Sequence, residues 1–212
     1  MSRDRNTLVY VFFYKEGPQY FADSVYQAVM AGNALHPNAM GIPGDDSGDS
    51  ISEKNPWYSE LTGIYWVWKN TDQPFTGCCH YRRFFTSKAE PFFYQLKRLA
   101  YGFIRLYRKR YGLIYTNRPD FFTARILQQQ EIDKIMGEYD AILPLRRKLN
   151  RSVAKHFQRY HSADDFRILE EVVREKAPAY WPDFQEVMEG KRLYANNMFI
   201  LPRVHFERFM AW

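Results

Sequence analysis

Leu8-Val9-Tyr10-Val11-Phe12-Phe13-Tyr14 runs seven residues without a polar break. A strand with one wet face would alternate, so an unbroken run predicts a strand covered on both faces, as in the parallel sheets of α/β proteins. Gly17-Pro18 stops it. The run is too short for a secretory signal and reads as a first buried strand. No stretch of eighteen apolar residues occurs, so no spanning helix is expected.

The rest of the chain fits that frame. Hydrophobic spacing predicts a helix over Tyr20 to Ala31 and a loop from Gly32 to Ser52, rich in Gly, Pro, Asp and Ser. Asn55 is placed to cap a helix that starts at Pro56 and runs to Asn70. Tyr58, Leu61, Tyr65 and Trp68 follow at helical spacing, with Trp57, Ile64, Trp66 and Val67 around them, so this helix is buried on several sides. Phe75 to Phe85 reads as a second strand with His80, Arg82 and Arg83 at its carboxyl end. Further helices are expected at Asp120 to Tyr139, Asp164 to Lys176 and Val204 to Trp212, and strands at Asp140 to Pro144 and Asn197 to Leu201. Strands separated by helices give an α/β architecture with a largely parallel sheet.

The 212 residues suffice for one domain with a sizeable core, and 46% hydrophobic residues are not the composition of a disordered chain. Cys78 and Cys79 are the only cysteines. Strand neighbours point to opposite faces and do not bridge, which fits a reducing cytoplasm, and two are too few for a cysteine metal site. The net charge of +6 is concentrated: Lys88 to Arg118 holds eight Lys and Arg against one acid, Glu90, while the remainder is close to neutral.

Several residues carry chemistry. Asp45, Asp46 and Asp49 lie in Gly44-Asp45-Asp46-Ser47-Gly48-Asp49-Ser50, and could take a divalent cation or sugar hydroxyls, or simply form a solvated turn. Glu60 is the one acid in the apolar helix; it must be paired, protonated or open to a cleft, where it would serve as a proton acceptor. His80, Arg82 and Arg83 sit where ligands bind in open α/β sheets, and arginine forks match phosphate oxygens; the alternative is a pair of surface arginines at a strand end. Strand alternation would send the two arginines to opposite faces. His156 and His161, with Asp164 and Asp165 beyond, could form a base pair or metal site, or an exposed loop with a capping acid. The amides of Asn196 and Asn197 precede the last strand and could bind hydroxyls or cap a loop. From Gln95 to Tyr111, Leu96, Leu99, Phe103, Leu106 and Tyr107 share a face flanked by cations. That pattern suits an anionic membrane surface; a helix packed on the domain and a nucleic-acid backbone are the alternatives.

Asp45-Asp46-Ser47-Gly48-Asp49-Ser50-Ile51-Ser52, Asn55, Tyr58-Ser59-Glu60-Leu61-Thr62, Tyr65-Trp66-Val67-Trp68-Lys69-Asn70 and Gly77-Cys78-Cys79-His80-Tyr81-Arg82-Arg83-Phe84-Phe85 resemble the bacterial family catalogued as domain of unknown function 4422. Asp140-Ala141-Ile142-Leu143-Pro144 and Asn197-Met198-Phe199-Ile200 are similar to its later blocks. The resemblance covers most of the chain, in order. It implies a GT-A-like, Rossmann-like fold with a mixed, mostly parallel sheet flanked by helices, in one domain over residues 1–212. A basic insertion at about 87–123 is longer than the family suggests, and the chain stops within what should be a final helix, as a C-terminally truncated fragment would.

The resemblance also implies an activity: capsular or exopolysaccharide glycosyltransferases, some taken to transfer galactofuranose. A nucleotide-sugar donor, foremost a UDP-sugar, is then expected, with a glycan or lipid-linked glycan as acceptor. Asp45, Asp46, Asp49, Asn55, Tyr58, His80, Arg82, Arg83 and Asn197 would line the donor pocket. Arg82 would stabilise the leaving diphosphate, and Glu60 or Asp164 would deprotonate the acceptor. Where GT-A enzymes carry Asp-x-Asp for a divalent metal, this chain has His80-Tyr81-Arg82-Arg83, so arginines could neutralise the diphosphate directly, with Asp45, Asp46 and Asp49 as fallback ligands for manganese or magnesium. The expected location is cytoplasmic, on the inner membrane face through residues 95–111, with no nucleic acid partner. A non-catalytic carbohydrate-binding module or a membrane-associated scaffold is the rival reading.

Overall fold

A computed structural model describes residues 6–103, 116 and 119–212. Where the sequence reads as one domain, these residues gather into two compact units. One comprises the described residues up to Leu143 together with Asn197–Trp212; the other is built on Pro144–Asn196.

The first strand, β1 (Thr7–Phe13), is buried at all seven positions, as its unbroken apolar run requires. The second, β2 (Tyr26–Met30), stands where helical spacing predicts a helix. It pairs in parallel with β1, Phe13 beside Met30, and Val25, Tyr26, Ala28, Val29 and Met30 are buried. A helix there would have left one edge of a buried strand without hydrogen-bond partners, so tertiary pairing overrides the local pattern.

The predicted helix from Pro56 is broken in two, α1 (Asn55–Tyr58) and α2 (Leu61–Asn70). The next strand, β3 (Phe75–His80), ends five residues before Phe85 because Arg83 N–H donates back to the His80 carbonyl and closes a turn. Helix α3 (Phe92–Phe103) follows. Residues 104–111 of the basic segment, and most of the remainder of the insertion up to residue 118, lie outside the described residues. The helix expected over Asp120 to Tyr139 is also two, α4 (Pro119–Thr123) and α5 (Gln129–Met136). The break comes at Gln128, which caps α5 reciprocally with Glu131.

Among the described residues, the second unit holds a two-stranded antiparallel pair and three α-helices: β4 (Arg147–Lys148), α6 (Val153–Tyr160), α7 (Ala163–Lys176), α8 (Trp181–Glu189) and β5 (Arg192–Leu193). Ser162 caps α7 by accepting from Asp164 N–H. The chain ends in the first unit with β6 (Phe199–Pro202) and α9 (Arg203–Ala211). Of the strand expected at Asp140 to Pro144, only Ile142 pairs, exchanging both backbone hydrogen bonds with Ile200.

The main sheet has the order β2-β1-β3-β6, with β2, β1 and β3 parallel and β6 antiparallel to β3. This is the mixed, mostly parallel sheet flanked by helices that the sequence predicts. Alternation along β1 feeds both layers. Leu8, Tyr10 and Phe12 pack with Ile64 and Val67 of α2 and Phe206 of α9. Val9, Val11 and Phe13 pack with Leu127 and with Ile132 of α5. Each of these fully buried side chains contributes about 1.5–3 kcal/mol of transfer free energy. From β1 the chain leaves toward β2, then returns through α2 to β3 on the other side. The carboxyl ends of β1 and β3 therefore flank a switch in connection direction, where open sheets of this type present a crevice.

Candidate functional site

The strand ends are level: Phe13 pairs with Met30 and Phe12 with His80. Tyr14 and Lys15 leave β1 at that rim, and Tyr81, Arg82 and Arg83 leave β3 beside them. Tyr81 is buried and organises the corner. Its ring packs on Phe13 at 5.3 Å, on His80 at 4.6 Å and edge-on to Tyr14 at 5.4 Å. The Arg82 guanidinium lies 4.9 Å from the Tyr81 ring centre, and the Lys15 ammonium 5.7 Å from that of Tyr14. The 80–83 turn leaves both Arg82 and Arg83 exposed at its end, so the alternation expected of a continuing strand does not apply to them. Neither guanidinium takes part in an ion pair among the described residues.

His80 is half-buried among these cations. Burial, then the nearby Arg83, pushes its pKa below the ordinary imidazole range, while Glu60 opposes that effect. Its Nδ1 accepts the Arg82 backbone N–H at 3.3 Å. The ring is thereby held neutral with Nε2–H as a donor. The Tyr81 hydroxyl donates to the Tyr14 hydroxyl at 3.3 Å. That bond, with Lys15 and Arg82 nearby, draws the Tyr14 phenol below its ordinary range.

Glu60 reaches the same rim from the break between α1 and α2. It is half-buried, and its Oε1 accepts from Asn197 Nδ2 at 3.2 Å. Asn197 lies two residues before β6, which pairs with β3 as far as Cys78 beside Phe199. Glu60 is thus not enclosed in an apolar helix as its sequence context suggests. It stands at a kink because Ser59 adopts φ 48° and ψ −134°, a conformation that costs a non-glycine residue on the order of 1–3 kcal/mol. The kink is held from three sides. Asn55 Nδ2 donates to the Ser59 carbonyl at 2.8 Å and to Thr62 Oγ1 at 3.1 Å, and Ser59 N–H returns to the Asn55 carbonyl at 2.8 Å.

Behind the kink sits Asp45, with no exposed surface. One oxygen accepts from Asn33 N–H and the Ser52 hydroxyl; the other accepts from Gly32 N–H at 3.0 Å and the Thr62 hydroxyl at 2.7 Å. Gly32 has φ +75°, and a β-carbon there would lie 2.6 Å from Asn55 Cγ, so the close approach requires glycine. The remainder of the acidic loop is pinned to α2. Tyr65 hydroxyl donates to Asp49 at 3.0 Å, Trp66 Nε1 to the Ser47 carbonyl at 2.8 Å, and Asn70 exchanges two bonds with the Asp49 backbone. Asp46 accepts from the Asn33 amide at 2.8 Å.

These partners decide how the expected ligand set is used. Asp45 is spent inside the fold, whereas Asp46 and Asp49 are exposed and each accepts from a different side chain, Asn33 and Tyr65. The three carboxylates do not fit a shared divalent-cation site, and among the described residues no group of three or more His, Cys, Asp or Glu side chains could hold a metal ion. Asn55 acts on the kink. Tyr58 lies half-exposed on α1. Asp164 belongs to the second unit, in the exposed first turn of α7, 3.9 Å from Arg167. There too His161 stacks on Phe157 at 4.4 Å and His156 meets Tyr160 edge-on at 5.1 Å, so both rings are engaged with aromatics. Cys78 and Cys79 are buried free thiols, their pKa values raised by that burial.

Glu60, His80, Arg82, Arg83 and Asn197, separated by up to 137 residues, do come together. Tyr14, Lys15 and Tyr81 join them without having been singled out in the sequence. The signal that could have found them is position, at the first residues past β1 and β3. An anion entering this rim would meet exposed guanidinium groups and a neutral imidazole donor, with one carboxylate alongside.

Comparison with known proteins gives the following. The family described as Domain of unknown function (DUF4422) matches residues 8–212. No curated protein matches the chain. Among solved structures, the apo structure of the WbbM bifunctional glycosyltransferase is similar, with a TM-score of 0.78 and 24% identity. The similarity covers 97% of this chain and 35% of that longer one. At this identity the likeness is one of fold.

Proposed function

The chain belongs to the DUF4422 family, and on that premise we propose that it is a glycosyltransferase that uses a nucleotide-activated sugar. The observation that carries the reading is the rim at the β1 and β3 ends, where Arg82 and Arg83 stand exposed beside His80 and Glu60. The fold shared with a bifunctional glycosyltransferase supports it.

The donor, a UDP-sugar, lies across the crevice between the two strand ends. Arg82 and Arg83 bind its diphosphate, and His80 donates from Nε2 to a phosphate oxygen. As the glycosidic bond breaks, negative charge grows on the leaving diphosphate. Guanidinium groups fixed by a tight turn, with Arg82 resting on Tyr81, stabilise that charge without having to reorganise. No step needs the acidic loop as a metal cage. Glu60, oriented by Asn197, accepts the proton of the attacking hydroxyl. The sugar transferred is a hexose such as galactofuranose, and the acceptor is a growing capsular, exopolysaccharide or lipopolysaccharide glycan. The enzyme works from the cytoplasmic side, held to the inner membrane face by the basic segment at 95–111.

The test is incubation with a panel of nucleotide sugars and a soluble glycan acceptor, following released nucleotide. Arg82→Ala should lower kcat by about 10²–10³-fold, as expected for a lost transition-state donor. Glu60→Gln should cost about 10²–10⁴-fold with little change in donor affinity. Wild-type turnover in Arg82→Ala refutes the diphosphate assignment. Donor binding without nucleotide release by the unaltered protein identifies a carbohydrate-binding module instead.

A further inference from the structure

Helix α3 is amphipathic, yet its apolar side is not packed away. Phe92, Phe93, Leu96 and Leu99 are between 52% and 78% exposed. At 100° per residue they fall on one arc of about 120°. Tyr94 points the other way, where its ring meets Phe122 of α4 edge-on at 5.4 Å. Gln95, between the two sides, donates to the Glu90 carbonyl at 2.8 Å. The helix is thus anchored through its Tyr94 side and presents the aromatic arc outward. Phe121 of α4 adds another exposed ring. Exposed apolar side chains are ordinary singly, but a contiguous aromatic and leucine arc marks a surface that something covers.

Charge indicates what covers it. The arc opens the segment from Lys88 to Arg118, which carries eight Lys and Arg against one acid. Such a segment attracts an anionic surface at roughly 1 kcal/mol per cation near it. No helix among the described residues is long and apolar enough to cross a bilayer. We infer that α3 inserts into the interface of an anionic lipid bilayer, with Phe92, Phe93, Leu96 and Leu99 as the wedge and the net positive charge of the segment as the attraction. This deepens the membrane-facing part of the proposed function by assigning the inserting side chains. Electrostatic attraction and apolar insertion then have separate residues and separable effects.

Vesicle flotation of the full chain tests this without any donor or acceptor. The protein should bind phosphatidylcholine vesicles that contain phosphatidylglycerol and not vesicles of phosphatidylcholine alone. Replacing Phe92, Phe93, Leu96 and Leu99 together by Ser should weaken binding by more than about tenfold. The unfolding midpoint should not move, since these side chains are exposed. Unweakened binding of that variant overturns the wedge. So does a dimer of the unaltered protein that the same substitutions dissociate, because the arc would then cover a second copy. Nucleotide release measured on a soluble acceptor should be unaffected by the four substitutions. Loss of vesicle binding with intact turnover supports the wedge, and failed turnover with intact vesicle binding counts only against the transferase reading.

Discussion

Asp45 and Asp46 are neighbours of the same type with opposite situations. Asp45 meets four internal donors and no solvent, whereas Asp46 is exposed with one. Asp45→Asn puts an amide NH₂ against two of those donors, and a buried hydrogen bond to a charged group is worth about 1.5–3 kcal/mol. Urea denaturation should show a loss of about 3 kcal/mol or more for Asp45→Asn and less than about 0.5 kcal/mol for Asp46→Asn. Equal midpoints for the two variants would contradict the structural role of Asp45. His80 makes a prediction in pH. Its folded pKa lies below the unfolded value of about 6.5, so the unfolded chain binds the proton more readily. The contribution is fully present above about pH 6.5 and is lost as pH falls toward the folded value. His80→Gln should therefore flatten the decline in stability on acidification through that window, measured by denaturant titration at stepped pH. An unchanged slope would remove His80 as its source.

At the scale of elements, α2 and the acidic loop form one device. The helix gives Tyr65, Trp66 and Asn70 to the loop, and Thr62 to Asp45. On its other side it lies so close to β1 that a β-carbon on Gly63 would come within 2.5 Å of the Phe12 ring. Gly63→Ala raises helix propensity but overpacks this contact. The net effect should be a loss of about 1–3 kcal/mol in unfolding free energy, with nucleotide release falling alongside because the kink at Ser59 and Glu60 moves with α2. A neutral or stabilising Gly63→Ala would mean that the helix has room to shift. The sequence showed the helix and its apolar character but not its break. Asn55 was legible as a cap and is in fact the brace of the kink, since Ser59 carries no signal of its positive φ. Likewise the strand at Tyr26–Met30 was hidden under a helical pattern, because pairing with β1 is non-local information.

For the whole molecule, the continuous run of β1 was enough to dictate a strand covered on both faces, and with the alternation of strands and helices it dictated an α/β sheet. That inference is secure because covering an apolar strand is a local requirement with few solutions. The exposed arginines at the end of β3, on which the proposed diphosphate site rests, were legible for a similar reason: a carboxyl strand end and a guanidinium fork are chemical facts of sequence. Chemical type alone could not divide the acids into structural and functional ones. Asp45, Asp49 and Glu60 read alike as carboxylates. Only the tertiary structure decided that Asp45 is consumed by buried donors and Asp49 is tied to Tyr65 on the surface, while Glu60 stands at the rim with Asn197. The cost of an unsatisfied buried donor depends on what else is folded around it, and a linear chain does not record that.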